Sequence, residues 1–146
     1  MTRLPSLLAL SAIALAGCSK KPELSVSEAY VQLSPVRTNP SAAYFTIHGG
    51  QQDVSLIEVS TDVAIRSEMH ETMSHGSMAS MKPVTNVQVP AGSIVKFEPG
   101  GKHVMLWNMN PGIRPPKHIQ LNLAFSNGQR LQADAAVVAM GQTPEK

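Results

Sequence analysis

The sequence predicts an all-β domain with a closed or two-sheet antiparallel structure, and two observations support this prediction. Many short segments carry β-branched or aromatic residues in partial alternation, and Gly, Pro, Asn or Ser residues separate them. Beyond the N-terminal segment, no stretch has the apolar spacing of an amphipathic helix. Many short strands at this spacing are typical of β-sandwiches and β-barrels.

Eight or nine segments are predicted as strands, because each combines apolar residues with turn residues at its end. Residues 43–48 (AYFTIH) form an apolar run closed by two glycines, and residues 54–60 (VSLIEVS) alternate. The dipeptide Asn127-Gly128 predicts a final hairpin, because these residues tolerate positive φ. Residues 74–80 (SHGSMAS) are small and polar, which predicts a mobile loop. The predicted strands are 24–33, 43–48, 54–60, 63–71, 84–89, 94–97, 103–107, 119–125 and 130–138.

Length and charge limit the organisation and the function. A chain of 146 residues suffices for one domain. The formal net charge is +2, and removal of Arg3 with a signal peptide leaves 11 basic against 10 acidic residues. A chain so close to neutrality does not have the excess of basic residues that is typical of a nucleic-acid-binding protein.

The N-terminus predicts an exported lipoprotein. Arg3 precedes a short apolar segment at 7–16, which is too short to span a bilayer, and the segment ends in L-A-G-C. This pattern resembles a bacterial lipoprotein signal, in which residues 1–17 are removed and Cys18 carries the lipid. Ser19 stands where an inner-membrane retention signal usually has Asp, which favours the outer membrane, with the domain facing the periplasm. The alternative is an ordinary signal peptide in which Cys18 is incidental.

The predicted mature chain has a short tether at 18–24, a domain at 25–138 and a flexible tail at 139–146. Cys18 is the single cysteine, so the domain offers neither a disulfide nor a thiolate ligand. In an oxidising compartment, a metal site built from His and Met does not lose its ligands to disulfide formation.

The stretch from Met69 to Met105 holds the residues that could carry chemistry. It contains three of the five histidines, and six of the eight methionines lie within it or just beyond it, at Met109. Imidazole and thioether groups without a thiolate form a soft, neutral ligand set that suits Cu(I) better than Mg, Ca or Mn. The candidate copper ligands, spaced H-x10-M-x21-H-x-M, are His70, Met81, His103 and Met105.

Strand geometry indicates how such a site would form. His103 and Met105 are two residues apart on a predicted strand, so their side chains share a face, while Val104 points into the core. His70 lies near the end of an earlier strand, and Met81 lies where the predicted loop returns. Within or beside that loop, Met73, His75 and Met78 are candidate accessory ligands, and His75 with His70 could favour Cu(II) or a second metal.

Each of these residues also has an ordinary structural interpretation. A methionine commonly fills a gap in a core, and a single histidine is commonly hydrogen-bonded or solvated. Glu68 and Glu71 flank His70 and could orient an imidazole, or could simply be solvated. His48 is expected to be structural and His118 exposed. The residues assigned to the core are Tyr30, Tyr44, Phe45, Phe97, Trp107 and Phe125.

The sequence resembles the PCuAC family of periplasmic copper chaperones. The His/Met spacing is that family's metal motif, and further matches include LSVSEAYV, AAYFTIH, EMHET, MKPV, VPAGSIVKFEPGGKHVML and LNLAFSNGQ. The resemblance covers roughly residues 24–137. The resemblance implies a cupredoxin-like Greek-key β-sandwich with a Cu(I) site near solvent. It also implies a monomer that delivers copper to the CuA centre of cytochrome oxidase or to another periplasmic copper protein.

Two features depart from the family pattern. Relatives often have a methionine two residues before the one matching Met81, where this chain has Ala79, and Met78 lies one residue earlier. The predicted lipid anchor differs from the soluble periplasmic form that is usual in the family.

Two other functions compete with copper delivery: that of a copper redox protein, either an electron carrier or an enzyme, and that of a metal-free envelope lipoprotein. A blue-copper electron carrier requires a Cys thiolate with two His, which Cys18 is not placed to supply. A copper redox enzyme is less firmly excluded, and His75 is the residue that would favour it. The other alternative is a metal-free envelope lipoprotein that binds partner proteins. No nucleophile–base signature or phosphate-binding glycine loop supports a hydrolase or a nucleotide enzyme.

Overall fold

The computed structural model describes residues 20–145 and confirms the all-β prediction. Within this range the chain forms ten strands and no α-helix. It contains no helix long and apolar enough to cross a membrane. The predicted signal peptide at residues 1–17, Cys18 and Ser19 lie outside the described residues. The strands are β1 (Ser25–Leu33), β2 (Ser41–His48), β3 (Val54–Ser60), β4 (Ala64–His75), β5 (Met78–Pro83), β6 (Val87–Val89), β7 (Ile94–Phe97), β8 (Lys102–Met109), β9 (His118–Phe125) and β10 (Arg130–Ala139).

The strands are hydrogen-bonded in the order β5-β4-β8-β7-β2-β1-β10-β9-β3-β6, with an additional β8–β2 pairing. Most pairings are antiparallel, but β1 pairs with β10 and β7 pairs with β8 in parallel. Strand β3 also packs against β4, which is not its neighbour in the sheet. The sheet therefore curls so that both halves enclose one core.

The core contains residues from both halves of the curled sheet. Alternate residues of β2 and β8 supply Ala43, Phe45, Val104 and Leu106, each of which is at most 1% exposed. Because side chains alternate along a strand, the buried Val104 and Leu106 place His103, Met105 and Trp107 on the outer face of β8. Leu24, the last residue of the predicted tether, also belongs to the core.

The predicted loop at 74–80 is wrong, because these residues form a β-hairpin. β4 continues to His75, and β5 returns antiparallel to it from Met78. The turn between them contains two residues, of which Gly76 adopts a φ of +63°. Small polar residues therefore form a tight hairpin turn here. With this extra strand the described residues form ten strands, against the predicted eight or nine.

The remaining differences are local. The predicted strand at 84–89 is reduced to β6, and the tail after β10 is tied to β1 by a 2.9 Å hydrogen bond from Gln32 Nε2 to Gln142 O. Of the aromatic residues predicted to lie in the core, Trp107 and Tyr30 are only half-buried, while the other four are buried. The Asn-Gly hairpin between β9 and β10 is confirmed.

The double glycine after β2 is required by close packing. A Cβ atom on Gly49 would lie 2.3 Å from the Pro90 carbonyl oxygen, and one on Gly50 would lie 2.9 Å from the Leu24 nitrogen. Gly49 also donates a 2.7 Å backbone hydrogen bond to Ser93 O. These contacts hold the end of β2 against the 90–93 turn.

Gly49→Ala should therefore lower the free energy of unfolding by about 1–3 kcal/mol, because the added methyl group forces backbone atoms apart. Urea unfolding followed by circular dichroism measures the change. Gly112→Ala is the matched control, since its Cβ would meet only the Asn110 side-chain oxygen, at 3.3 Å. Equal stability of Gly49→Ala and the wild type would contradict the packing argument.

Candidate metal centre

The pairing of β4 with β8 brings two histidines from distant parts of the sequence together. His70 and His103 are direct partners in the antiparallel register, and their ring centroids lie 6.0 Å apart. The preceding pair, Met69 and Val104, faces the core and is buried. The two imidazoles therefore lie side by side on the outer face of the sheet.

The two methionines of the sequence motif share this outer face. Met105 lies two residues beyond His103 on β8 and is half-buried. Met81 is the β5 partner of Thr72, which is two residues beyond His70 on β4. Met81 is therefore a diagonal neighbour of His70, at a Cβ separation that a long thioether side chain can span. The four candidate ligands come from three adjacent strands.

Each imidazole has one nitrogen in a hydrogen bond and one nitrogen without a partner. His103 Nδ1 lies 3.0 Å from Gly101 O, and His70 Nε2 lies 3.2 Å from Glu68 Oε2. Both acceptors are oxygens, so these nitrogens must carry the protons and donate them. The other two nitrogens, His70 Nδ1 and His103 Nε2, are buried without a hydrogen-bond partner.

The turn before β8 fixes the orientation of His103. Gly101 N donates to Glu98 O at 3.0 Å, and Gly100 adopts a φ of +82°. Gly101 O accepts hydrogen bonds from Thr72 N at 3.1 Å and from His103 Nδ1. The Gly100-Gly101 turn therefore has a direct function in the site, because the carbonyl group of Gly101 selects the tautomer of His103.

The orientation of His70 depends on a row of side chains at alternate positions of β4. Glu68 accepts from His70 through one carboxylate oxygen, and its other oxygen lies 3.4 Å from Arg66 Nε. The Arg66 guanidinium group lies 4.1 Å from the ring centroid of Trp107. Trp107 is therefore not a core residue, because it forms the end of this row on the outer face. Arg66 and Glu68 are exposed enough that the ion pair contributes little to stability, so its role is to orient His70.

The accessory candidates lie on the opposite face of the hairpin. His75 pairs with Met78, and Met73 pairs with Ser80, at odd-numbered positions of β4 that alternate with His70 and Thr72. His75 therefore does not face His70, and Met78 cannot take the position of the methionine that Ala79 replaces. Ala79, two residues before Met81, is the residue on the same face.

The other candidates have ordinary structural partners. Glu71 forms a 2.9 Å ion pair with Lys102, on the face opposite His70. His48 lies 2.7 Å from Ser27 Oγ, and the exposed His118 lies 2.7 Å from Asp134 Oδ2. Among residues 20–145, no three His, Cys, Asp or Glu side chains form a group that could hold a metal ion. Beside the paired histidines, Met105 and Met81 supply thioether groups.

The hydrogen bonds predict opposite tautomers for the two imidazoles in the metal-free protein. His70 should carry its proton on Nε2 and His103 on Nδ1, as two-dimensional 1H–15N NMR of the imidazole rings can establish. Glu68→Ala removes the acceptor for His70 and should allow both His70 tautomers, because its Nε2–H then lacks a partner. The His103 and His118 signals serve as internal controls, and an unchanged His70 signal would contradict this role of Glu68.

Comparison with known proteins identifies the family and the fold. Residues 24–137 match the LpqE-like lipoprotein family. A lipoprotein of Leifsonia xyli subsp. xyli is 26% identical over 107 residues, and the match covers 72% of this chain but only 63% of that relative.

Solved structures that share the fold include two copper-bound proteins. The copper-bound PCuAC domain from PmoF2 has a TM-score of 0.66 and 18% identity, with coverage of 82% of this chain and 95% of that domain. Cu(I)-bound DR1885 from Deinococcus radiodurans has a TM-score of 0.68 and 24% identity, with coverage of 89% and 87%. The predicted cupredoxin-like Greek-key β-sandwich is confirmed. The chain belongs to the LpqE-like lipoprotein family and has the fold of the PCuAC domains.

Proposed function

We propose that this protein is a periplasmic chaperone for Cu(I), which it binds through His70, His103, Met105 and Met81. The observation that carries the proposal is the pair of buried, unpartnered nitrogens, His70 Nδ1 and His103 Nε2, on adjacent strands. A buried polar atom without a partner is costly unless a ligand satisfies it. Each ring has its other nitrogen in a hydrogen bond to an oxygen, which is the usual arrangement for a metal-binding imidazole.

The donor set favours Cu(I) as the cargo. Two neutral imidazoles and two thioethers provide no negative charge, and soft ligands of this kind select Cu(I) over cations that prefer oxygen. The described chain has no cysteine, so the blue-copper alternative has no thiolate. That solved relatives of the same fold are copper-bound supports the same cargo.

The exposure of the ligands supports transfer rather than storage. His103 is 5% exposed, whereas Met81 is 60% exposed and lies on the strand at the end of the sheet. In the proposed site, the imidazoles form a fixed base and Met81 closes over the metal from the solvent side. An acceptor protein could displace Met81 first, because this thioether is the most accessible ligand. This sequence of ligand exchange requires no catalytic step.

The proposed location follows from the N-terminal motif and the family. Residues 1–17 would be cleaved and Cys18 lipidated, which anchors the domain at the envelope and facing the periplasm, with the outer membrane favoured by Ser19. The tether before Leu24 spans at most about 20 Å, so the domain would stay close to the membrane surface. The proposed acceptor is the CuA-bearing subunit of cytochrome oxidase or another periplasmic copper protein. The first of these requires an anchor in the membrane that holds the oxidase.

Copper binding is testable with residues 19–146, which contain all the core residues, from Leu24 to Val137. Under anaerobic conditions, competition with a chromophoric Cu(I) chelator should reveal one tight equivalent. His103→Ala, Met105→Ala and Met81→Leu should each weaken binding at least about tenfold, because each removes a donor atom.

His118→Ala and Met140→Leu are the matched controls, because both residues are exposed and lie outside the proposed site. They should leave the affinity unchanged. If the wild type binds no equivalent of Cu(I) tightly, the chaperone proposal is wrong. The remaining alternative is then an envelope lipoprotein that binds partner proteins.

Delivery requires its own experiment. The Cu(I)-loaded protein is mixed with the metal-free soluble CuA domain in the presence of excess chelator, which captures any copper released to solution. After ion-exchange separation, copper should be found on the CuA domain. A Cu(I)-chelator complex of equal affinity replaces the loaded protein as the control. Copper that remains on the chaperone, or transfer no faster than in the control, would contradict this acceptor.

A further inference from the structure

We infer that the β4–β5 hairpin holds a second, weaker Cu(I) site, formed by Met73, His75 and Met78 on the face opposite the first. In the hairpin register, His75 and Met78 are direct partners beside the turn, and Met73 precedes His75 by two residues. All three side chains therefore project from the same face. Direct partners on this face have Cβ atoms about 5 Å apart, and diagonal neighbours about 7–8 Å, so flexible side chains can converge on one ion.

Packing does not account for these side chains. Met73 is 38% exposed and Met78 is 76% exposed, and neither is among the partly buried residues that pack on the core. Met69, which shares their face nearer the centre of the sheet, is 6% exposed and belongs to the core. The outer part of the hairpin thus presents two thioethers and an imidazole to solvent, where an apolar side chain gains nothing from burial.

The neighbouring charges favour a monovalent ion in a neutral ligand set. On the same face, Glu71 is held 2.9 Å from Lys102 Nζ, and Lys82 is the β5 partner of Glu71. The carboxylate is therefore already engaged by a cation, and the adjacent charge is net positive. Hard divalent cations prefer carboxylate oxygens, and the Glu71 carboxylate on this face is already paired with Lys102. Thioether and imidazole donors instead suit Cu(I).

The two sites share no ligand. His70 and Met81 project from one face of the hairpin, and the second set projects from the other, because adjacent residues of a strand point in opposite directions. The second site is more exposed and has only three candidate donors, so it should bind Cu(I) more weakly and exchange it faster. The inference extends the proposed function but does not depend on the first site.

Methyl NMR of the wild-type chain of residues 19–146, labelled with 13C at the methionine methyl groups, tests the second site directly. During anaerobic titration with Cu(I), the methyl signals of Met105 and Met81 should shift up to the first equivalent. Those of Met73 and Met78 should shift only between the first and second equivalents. Met140 is the control, because it is exposed but has no place in either site.

Variants then assign the ligands. Met73→Leu with Met78→Leu preserves apolar volume and removes both sulfur atoms, and His75→Ala removes the imidazole. Each change should abolish the second equivalent and leave the first unchanged. Shifts of Met73 and Met78 without those of Met81 and Met105 would overturn the proposed chaperone site but support this one. Unshifted Met73 and Met78 signals at two equivalents, or a second equivalent that persists in the variants, would overturn the inference.

Discussion

The register between β4 and β8 is the constraint on which the candidate site depends. It sets His70 opposite His103, although 32 residues separate them in the chain. The core enforces this register, because the preceding pair, Met69 with Val104, is buried between the two halves of the sheet. A slip of one residue would turn the histidines into the core and expose the apolar pair, so packing energy fixes the site geometry.

Hydrogen bonds then give each imidazole a defined role. The carbonyl group of Gly101 and the carboxylate of Glu68 each take one N–H group, which leaves one lone pair on each ring without a partner. The protein therefore bears the cost of two unsatisfied buried atoms at one place. Because buried polar atoms are usually paired, such a concentration is the strongest local indication of a ligand.

The β4–β5 hairpin continues the alternation of side chains beyond the core. Close to the centre of the sheet, Met69 on one face of β4 is buried and the other face carries the candidate site, but past Glu71 both faces reach solvent. Alternation then separates the methionine-rich segment into two groups, with Met81 on one side and Met73 and Met78 on the other. One run of sequence can thus serve two distinct faces, which a linear motif does not distinguish.

The fold class, most strands and the candidate ligands could be predicted from the amino-acid sequence alone. Apolar alternation, turn residues and residue chemistry are local properties, and residues such as Val104 and the Asn127-Gly128 turn behaved as their surroundings predicted. Other features depend on contacts between distant strands, which no local sequence pattern specifies. Polar, glycine-containing composition predicted a loop at 74–80, but pairing with β4 made it a strand and a tight turn. The face of His75, the half-exposed position of Trp107 and the unpartnered nitrogens all follow from register, because each depends on which distant strand lies alongside.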